Sequence, residues 1–218
     1  MKALFVGNSY TAFHDMPRVL AEMARASGRT LDVDMSVCGG KNLEWHWEEG
    51  DARSRIAAGG RAVVVLQDHS LGPIEARDRM SEYARRFDAE IRKSGARTVF
   101  YMTWARRHKP EMQDELSAAY RAAARELGAQ VAPVGEAWRL AFSRNPSLVL
   151  HEDDGSHPNP KGAYLTACVF FSALFGASPA GLPRVVQVEG RAVVQVAEAE
   201  ARFLQEVAWD AACAEGGI

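Results

Sequence analysis

Cysteine is scarce in this chain. Cys38, Cys168 and Cys213 are odd in number and stand in no CxxC spacing. This argues against a disulfide framework and a cysteine-built zinc site and leaves reduced, mostly buried thiols. Histidine clusters are missing too. His14, His46, His69, His108 and His151 never fall in HxH or HExxH spacing, so no metal site and no cofactor are expected. No apolar run approaches the ~20 residues of a membrane helix. No charged segment followed by an apolar one opens the chain, which enters an apolar strand after a single Lys. A cytoplasmic protein without membrane contact is expected. With 26 basic and 28 acidic residues and a net charge of −2, no Lys/Arg block stands clear of acidic neighbours. Nucleic acid is therefore not an expected partner. The arginine-rich RDRMSEYARRFDAEIRK is balanced by Glu and Asp and reads as a solvated helix face. Internal repeats, low-complexity stretches and linkers are also lacking.

What is present is a chain of 218 residues, 47% hydrophobic and 25% charged. That fits one α/β domain over residues 1–218, since a chain of this size buries roughly 70% of its unfolded surface. KALFV at Lys2–Val6 is a short apolar run stopped by Gly7, as a buried parallel strand should be. Asp15 can cap a following helix through about Ser27, with Pro17 in its first turn and Gly28 just past its end. Leu31–Val37 alternates and suits a strand nearer an edge. Asn42–Ala58 is mixed and helical in tendency. AVVVL at Ala62–Leu66 is β-branched and wholly apolar, the mark of a central strand.

Helices over about Ile74–Ser94 and Pro110–Leu127 lead to strands at Arg97–Thr103 and Gln130–Val134. Alternating strand and helix implies right-handed crossovers and a parallel sheet in a three-layer α/β/α domain. Asn159 and Pro160 carry an N-cap and N1 signature for an apolar helix over about Lys161–Phe175. Val185–Val196 reads as a small hairpin around Glu189-Gly190, and Ala197–Cys213 as a closing amphipathic helix.

In open parallel sheets, ligands bind beyond the carboxyl ends of the strands. The polar and glycine-rich signals lie there: Gly-Asn-Ser after the first strand, Cys-Gly-Gly after the second, Gln-Asp-His-Ser after the third, and a late loop HEDDGSHPNP. In that loop Asp154 lies three residues before His157, close enough for its carboxylate to reach the imidazole. Asp153 competes at a spacing one residue longer. A nucleophilic serine needs a base near neutral pKa, and the base needs a carboxylate that fixes its tautomer. Ser9, His157 and Asp154 supply that set. An oxyanion would need donors. The backbone N–H groups of Ser9 and Gly40 are candidates, and Gln67 could add a side-chain amide, with Asn8 and His69 as weaker substitutes. Trp45, His46, Trp47 and Trp104 would lie near the crevice, where a ring can stack on a sugar or close an acyl pocket.

The blocks GNSYT, CGGKN, VVVLQDHS and DGSH, in that order, resemble the SGNH, or GDSL-like, hydrolase superfamily. The resemblance spans roughly Lys2 to Phe175. It implies a five-stranded, flavodoxin-like sheet of order 2-1-3-4-5, with Ser9 as nucleophile, His157 as base and Asp154 as its orienting partner. It also implies an oxyanion hole lined by the Ser9 and Gly40 N–H groups. Two positions depart from the pattern: Asn8 stands where an Asp is usual, and Gln67-Asp68-His69 replaces the usual GxN. LQDHS looks more like the QGES block of the sialate and carbohydrate O-acetylesterase branch, which favours Gln67 over His69 as third donor. It also points to small acyl esters, acetyl on a sugar among them, as substrates.

The GxSxG elbow of α/β-hydrolases is absent, since Thr11 stands where its last glycine would be. The expected activity is therefore a serine esterase acting through a Ser-His-Asp triad. Asn8, Trp45 and Trp104 are the expected pocket residues. The alternatives are a phosphate-binding module built on SVCGGKN and Lys41, without GxGxxG or GxxxxGK[ST], and an SGNH-like scaffold without activity.

Overall fold

The computed structural model describes residues 1–216; the last two residues of the expected 1–218 domain lie outside the described residues. Five parallel strands form the sheet: β1 (Lys2–Gly7), β2 (Asp32–Val37), β3 (Val63–Leu66), β4 (Arg97–Tyr101) and β5 (Gln130–Ala132). Their order is β2-β1-β3-β4-β5. In register, Phe5 sits beside Met35 on one side and Val65 on the other, and Val65 beside Val99.

Alternation along each strand divides the core into two layers. Ala3, Phe5, Val63, Val65, Val99 and Tyr101 face one side, where α2 (Met16–Ala26), α8 (Val134–Arg144), α9 (Pro160–Phe175) and α10 (Glu198–Ala214) pack. Leu4, Val6, Val64, Leu66 and Phe100 face the other. That side is covered by α3 (Leu43–Glu48), α4 (Ala52–Ala57), α6 (Arg77–Lys93) and α7 (Met112–Leu127). In α6 the buried Met80, Tyr83, Ala84, Phe87 and Ile91 recur at helical spacing, so the charged RDRMSEYARRFDAEIRK does keep its other face in water. In α9 every residue from Gly162 to Leu174 is buried, because the sheet, α2, α8 and α10 surround it.

Three segments differ from expectation. The helix expected over 74–94 is broken: Pro73 opens a short α5 (Gly72–Glu75), the chain leaves helical geometry at Ala76 (φ −140°, ψ 43°), and α6 starts afresh. Asp15 does not cap α2 with its side chain. It adopts a left-handed conformation (φ 51°) and its carboxylate pairs with Arg18. Helix α8 is absent from the expected elements, although Val134, Ala137, Trp138 and Ala141 carry its period. The hairpin is present as β6 (Val185–Val188) and β7 (Arg191–Gln195), turned by Glu189 and Gly190 at φ 50° and 77°. No helix of the described residues is long and apolar enough to cross a membrane.

Candidate active site

At the carboxyl end of β1, Asn8 takes extended geometry and its Oδ1 accepts the N–H of Tyr10 at 3.0 Å. This N-cap begins a short helix, α1 (Ser9–Ala12), with Ser9 as its first residue. The second partner lies in the loop just before α9, whose start is held by Asn159: its Oδ1 accepts from the N–H groups of Lys161 and Gly162 at 2.9 and 3.0 Å. Just upstream, Gly155 adopts φ +67°, a left-handed conformation that turns the loop between Asp154 and His157.

The geometry brings three of the sequence-derived site residues into one line. Ser9 Oγ lies 2.9 Å from His157 Nε2, and His157 Nδ1 lies 2.5 Å from Asp154 Oδ2. Asp154 Oδ1 accepts the backbone N–H groups of Ser156 and His157 at 2.8 and 2.9 Å. The His157 hydrogen bond, with those backbone N–H groups, pulls the Asp154 carboxyl down to about 2. An ionised acceptor at Nδ1 keeps the imidazole proton there and leaves Nε2 free to accept from the serine hydroxyl. Asp153, the competing partner, instead offers its backbone carbonyl to Arg107 Nη2 at 3.0 Å.

Aromatic rings fix the imidazole plane. Phe13 stacks on His157 with centroids 4.3 Å apart and planes at 17°, and Tyr10 meets it edge-on at 5.6 Å. Tyr10 Oη is 2.6 Å from Ser156 Oγ, so the residue after the serine is tied to the loop that carries the histidine. No motif in the sequence marks Phe13; only the fold brings it to the ring.

Around Ser9, two backbone donors are unengaged: among the described residues neither the Ser9 nor the Gly40 N–H has a hydrogen-bond acceptor. Gly40 is exposed and sits at φ +70°, a conformation that presents its amide without strain only because it lacks a Cβ.

Gln67 is not available as the third donor. It is 0% exposed; its Nε2 donates to Asn8 Oδ1 at 2.9 Å and to the Asp68 carbonyl, and its Oε1 accepts from Asn8 N and Thr11 Oγ1, both at 2.9 Å. With both amide hydrogens committed, the side chain ties the loops together. His69 stands differently. It is partly exposed, its Nδ1 accepts the Leu71 N–H at 3.3 Å, and that bond leaves a proton on Nε2. His69 lines a crevice of about 580 Å³ with Gly40, Lys41, Asn42 and Trp45.

Two of the expected pocket residues lie elsewhere. Asn8 is 2% exposed and fully engaged, its Nδ2 donating to the Lys41 carbonyl at 3.0 Å. Trp104 is 1% exposed, stacked between Tyr10 at 4.5 Å and Trp138 at 4.2 Å, and its Nε1 donates to the Ser156 carbonyl at 3.0 Å. It props the histidine loop from beneath. Trp45 does stand at the crevice wall, with Lys41 Nζ 5.5 Å from its ring centroid.

Further ties hold the loops in place. His46 Nε2 donates to the Gly7 carbonyl at 2.7 Å, and burial holds the His46 pKa below its ordinary value, so the ring is neutral. Asp68 Oδ1 accepts the Leu43 N–H at 2.8 Å, and burial raises its pKa. Among the described residues there is no group of three or more His, Cys, Asp or Glu side chains able to hold a metal ion.

Comparison by sequence gives no match, either among protein-family models or among curated proteins. Solved structures do match. A protein of Slackia heliotrinireducens assigned to the SGNH hydrolases is 27% identical, with a TM-score of 0.66 over 79% of this chain and 97% of its own. A DUF4886 family protein of Bacteroides uniformis is 20% identical, with a TM-score of 0.76 over 97% of this chain and 94% of its own. Axe2, an acetylxylan esterase of Geobacillus stearothermophilus, shares the fold at 13% identity, with a TM-score of 0.61 over 78% of this chain and 91% of its own. In its sheet order, with GNSYT, CGGKN and LQDHS at the ends of β1, β2 and β3 and DGSH in the loop before α9, this chain is similar to the SGNH, or GDSL-like, serine hydrolases and shares their fold.

Proposed function

We propose that this chain is a serine esterase that hydrolyses small acyl esters through Ser9, His157 and Asp154. The supporting observation is the connected line Ser9 Oγ to His157 Nε2 at 2.9 Å and His157 Nδ1 to Asp154 Oδ2 at 2.5 Å. Ser9 Oγ attacks the ester carbonyl while its proton passes to His157 Nε2. The imidazolium formed is stabilised by the Asp154 carboxylate. The tetrahedral oxyanion takes hydrogen bonds from the Ser9 and Gly40 N–H groups, with His69 Nε2–H as third donor in place of Gln67.

Collapse expels the alcohol, which takes the proton from His157, and leaves an acyl group on Ser9 Oγ. Water, deprotonated by His157, then attacks the acyl-enzyme and returns the free acid and the serine. An acetyl-sized acyl group on a carbohydrate is the substrate class we favour. Trp45, half-buried on the crevice wall, offers a face for a sugar ring. Two of the structural neighbours are acetylxylan esterases.

The test is turnover of a short-chain aryl acetate by the wild type, Ser9→Ala and His157→Ala, together with intact-mass detection of a phosphonate adduct. Loss of about 10³-fold or more in each variant, with labelling that requires Ser9, is expected. Equal rates in all three with no adduct would overturn the reading.

A further inference from the structure

A second cavity, of about 450 Å³, is separate from the crevice that Gly40, Trp45 and His69 line: neither Ser9, Gly40, His69 nor His157 lines it. Its walls come from the β4–α7 connection, from α8 and from the Pro146–His151 stretch. They are rich in flat rings. Trp104 and Trp138 stack at 4.2 Å with planes 4° apart, and Phe142 and His151 lie parallel at 5.8 Å. The charges at the wall are of one sign, Arg106, Arg107 and Arg139, and no Asp or Glu lines the cavity.

Arg139 is neutralised by Asp114 and Glu136. Arg106 and Arg107 form no ion pair among the described residues. The Arg106 side chain makes one hydrogen bond, from Nη2 to Ser70 Oγ at 3.4 Å, and its buried Nε has no acceptor; Glu75 and Glu115, which line a neighbouring pocket with it, form no ion pair with it. Trp138, 1% exposed, likewise leaves its Nε1 without an acceptor. A buried donor left unpaired costs about 1–3 kcal/mol. Two such donors belong to residues of one cavity that also carries uncompensated positive charge.

We infer that this cavity binds an aromatic anion, its ring against the Trp138 and Phe142 walls and its carboxylate or phosphate oxygens on Arg106. A guanidinium offers such oxyanions a planar pair of donors. Flat rings suit an aryl body, and the absence of wall carboxylates removes the repulsion that would exclude an anion. The site goes beyond the esterase reading and stands without it. It is nevertheless joined to the catalytic loop: Arg107 N donates to the Gly155 carbonyl at 2.9 Å, and Trp104 Nε1 to that of Ser156 at 3.0 Å.

The test is titration of the full chain with benzoate, phenyl phosphate and benzyl alcohol, followed by calorimetry and by tryptophan fluorescence. Saturable 1:1 binding of benzoate or phenyl phosphate is expected, and the tighter of the two identifies the anion. Benzyl alcohol should bind roughly tenfold more weakly or not at all, the scale of a lost charge-assisted hydrogen bond. Arg106→Met should weaken the anion by a similar factor and Arg106→Lys by less, both variants keeping aryl acetate turnover as proof of folding. Ser9→Ala and prior phosphonate treatment should leave binding intact, which separates this site from the catalytic one. The inference is overturned if neither anion saturates, if benzyl alcohol binds as tightly, if Arg106→Met binds like the wild type, or if the phosphonate blocks the titration.

Discussion

Replacing Asp154 by Asn would test the direction of every hydrogen bond at the site. Asp154 has two tasks: Oδ2 accepts from His157 Nδ1 at 2.5 Å, and Oδ1 accepts from the backbone of Ser156 and His157 at 2.8 and 2.9 Å. An Asn carbonyl oxygen can keep the two backbone bonds, so the loop should hold its shape. Its NH₂ then faces His157 Nδ1 as a donor, which drives the imidazole proton to Nε2. There it would point at Ser9 Oγ, and the base would be lost.

For a triad carboxylate changed to its amide the loss in kcat is about 10⁴-fold. The Asp154 side chain is 48% exposed, so water can relieve part of the mismatch, and about 10³-fold is the expected size here. Steady-state turnover of an aryl acetate and thermal melting of the same sample measure both tasks. Asp154→Asn should lose activity with its Tm nearly unchanged. Asp154→Ala should lose activity and also the two backbone bonds, about 1–3 kcal/mol in all. Activity in Asp154→Asn above a tenth of the wild type would refute the assigned proton direction and the role of Asp154 with it.

Other outcomes follow from the same geometry. His69→Ala should cut kcat about 10²–10³-fold with little change in Tm, as removal of an oxyanion donor does, whereas Gln67→Leu should lower Tm by leaving the Asn8 N–H and the Thr11 hydroxyl without their acceptor. Full activity in His69→Ala would remove it from the oxyanion hole. Phe13→Ala, which frees the imidazole face, should lower kcat about tenfold more than it raises KM, on the scale of a lost aromatic contact; unchanged kcat would mean that the stack does not position His157.

Gly7→Ala would put a Cβ 2.5 Å from Thr11 Oγ1 and closer still to Gln67 Oε1, so it should cost about 1–3 kcal/mol in chemical denaturation. Asp154 contributes stability in full above its unfolded value of 3.8 and loses it as pH falls toward about 2, because its folded pKa is the lower one. Acid unfolding of Asp154→Asn should accordingly be less steep over that range than that of the wild type.

Much of the architecture was legible in the sequence because it rests on short-range physics. Wholly apolar β-branched runs make buried parallel strands, Asn159-Pro160 starts a helix, and Glu189-Gly190 turns a hairpin. The contact between Asp154 and His157 is also local, since a carboxylate three residues before an imidazole reaches it across one turn of chain. Helix α8 was missed although its apolar period is present. Its N-cap, Pro133, makes no side-chain cap bond, and Gly135 stands in its first turn because Cβ there would collide with the Thr103 carbonyl.

What only the tertiary structure decided is which polar groups near Ser9 remain free to act. Gln67 and His69 stand two residues apart at the end of one strand, and the likeness of LQDHS to a QGES block favours Gln67. Strand alternation cannot rank them once the chain has entered a loop: Asn8 and Thr11, distant in the chain, take the Gln67 amide into the interior, while the neighbouring Leu71 leaves the His69 ring with a free donor. Trp104 and Arg106 diverge for the same reason. The stack of Tyr10, Trp104 and Trp138 joins three separate elements. Arg106, beside it, forms no ion pair among the described residues, and none of the residues lining that cavity carries a carboxylate. Composition and period set which residues are buried; long-range packing sets which buried donors are paired, and it is the unpaired ones that are left to bind.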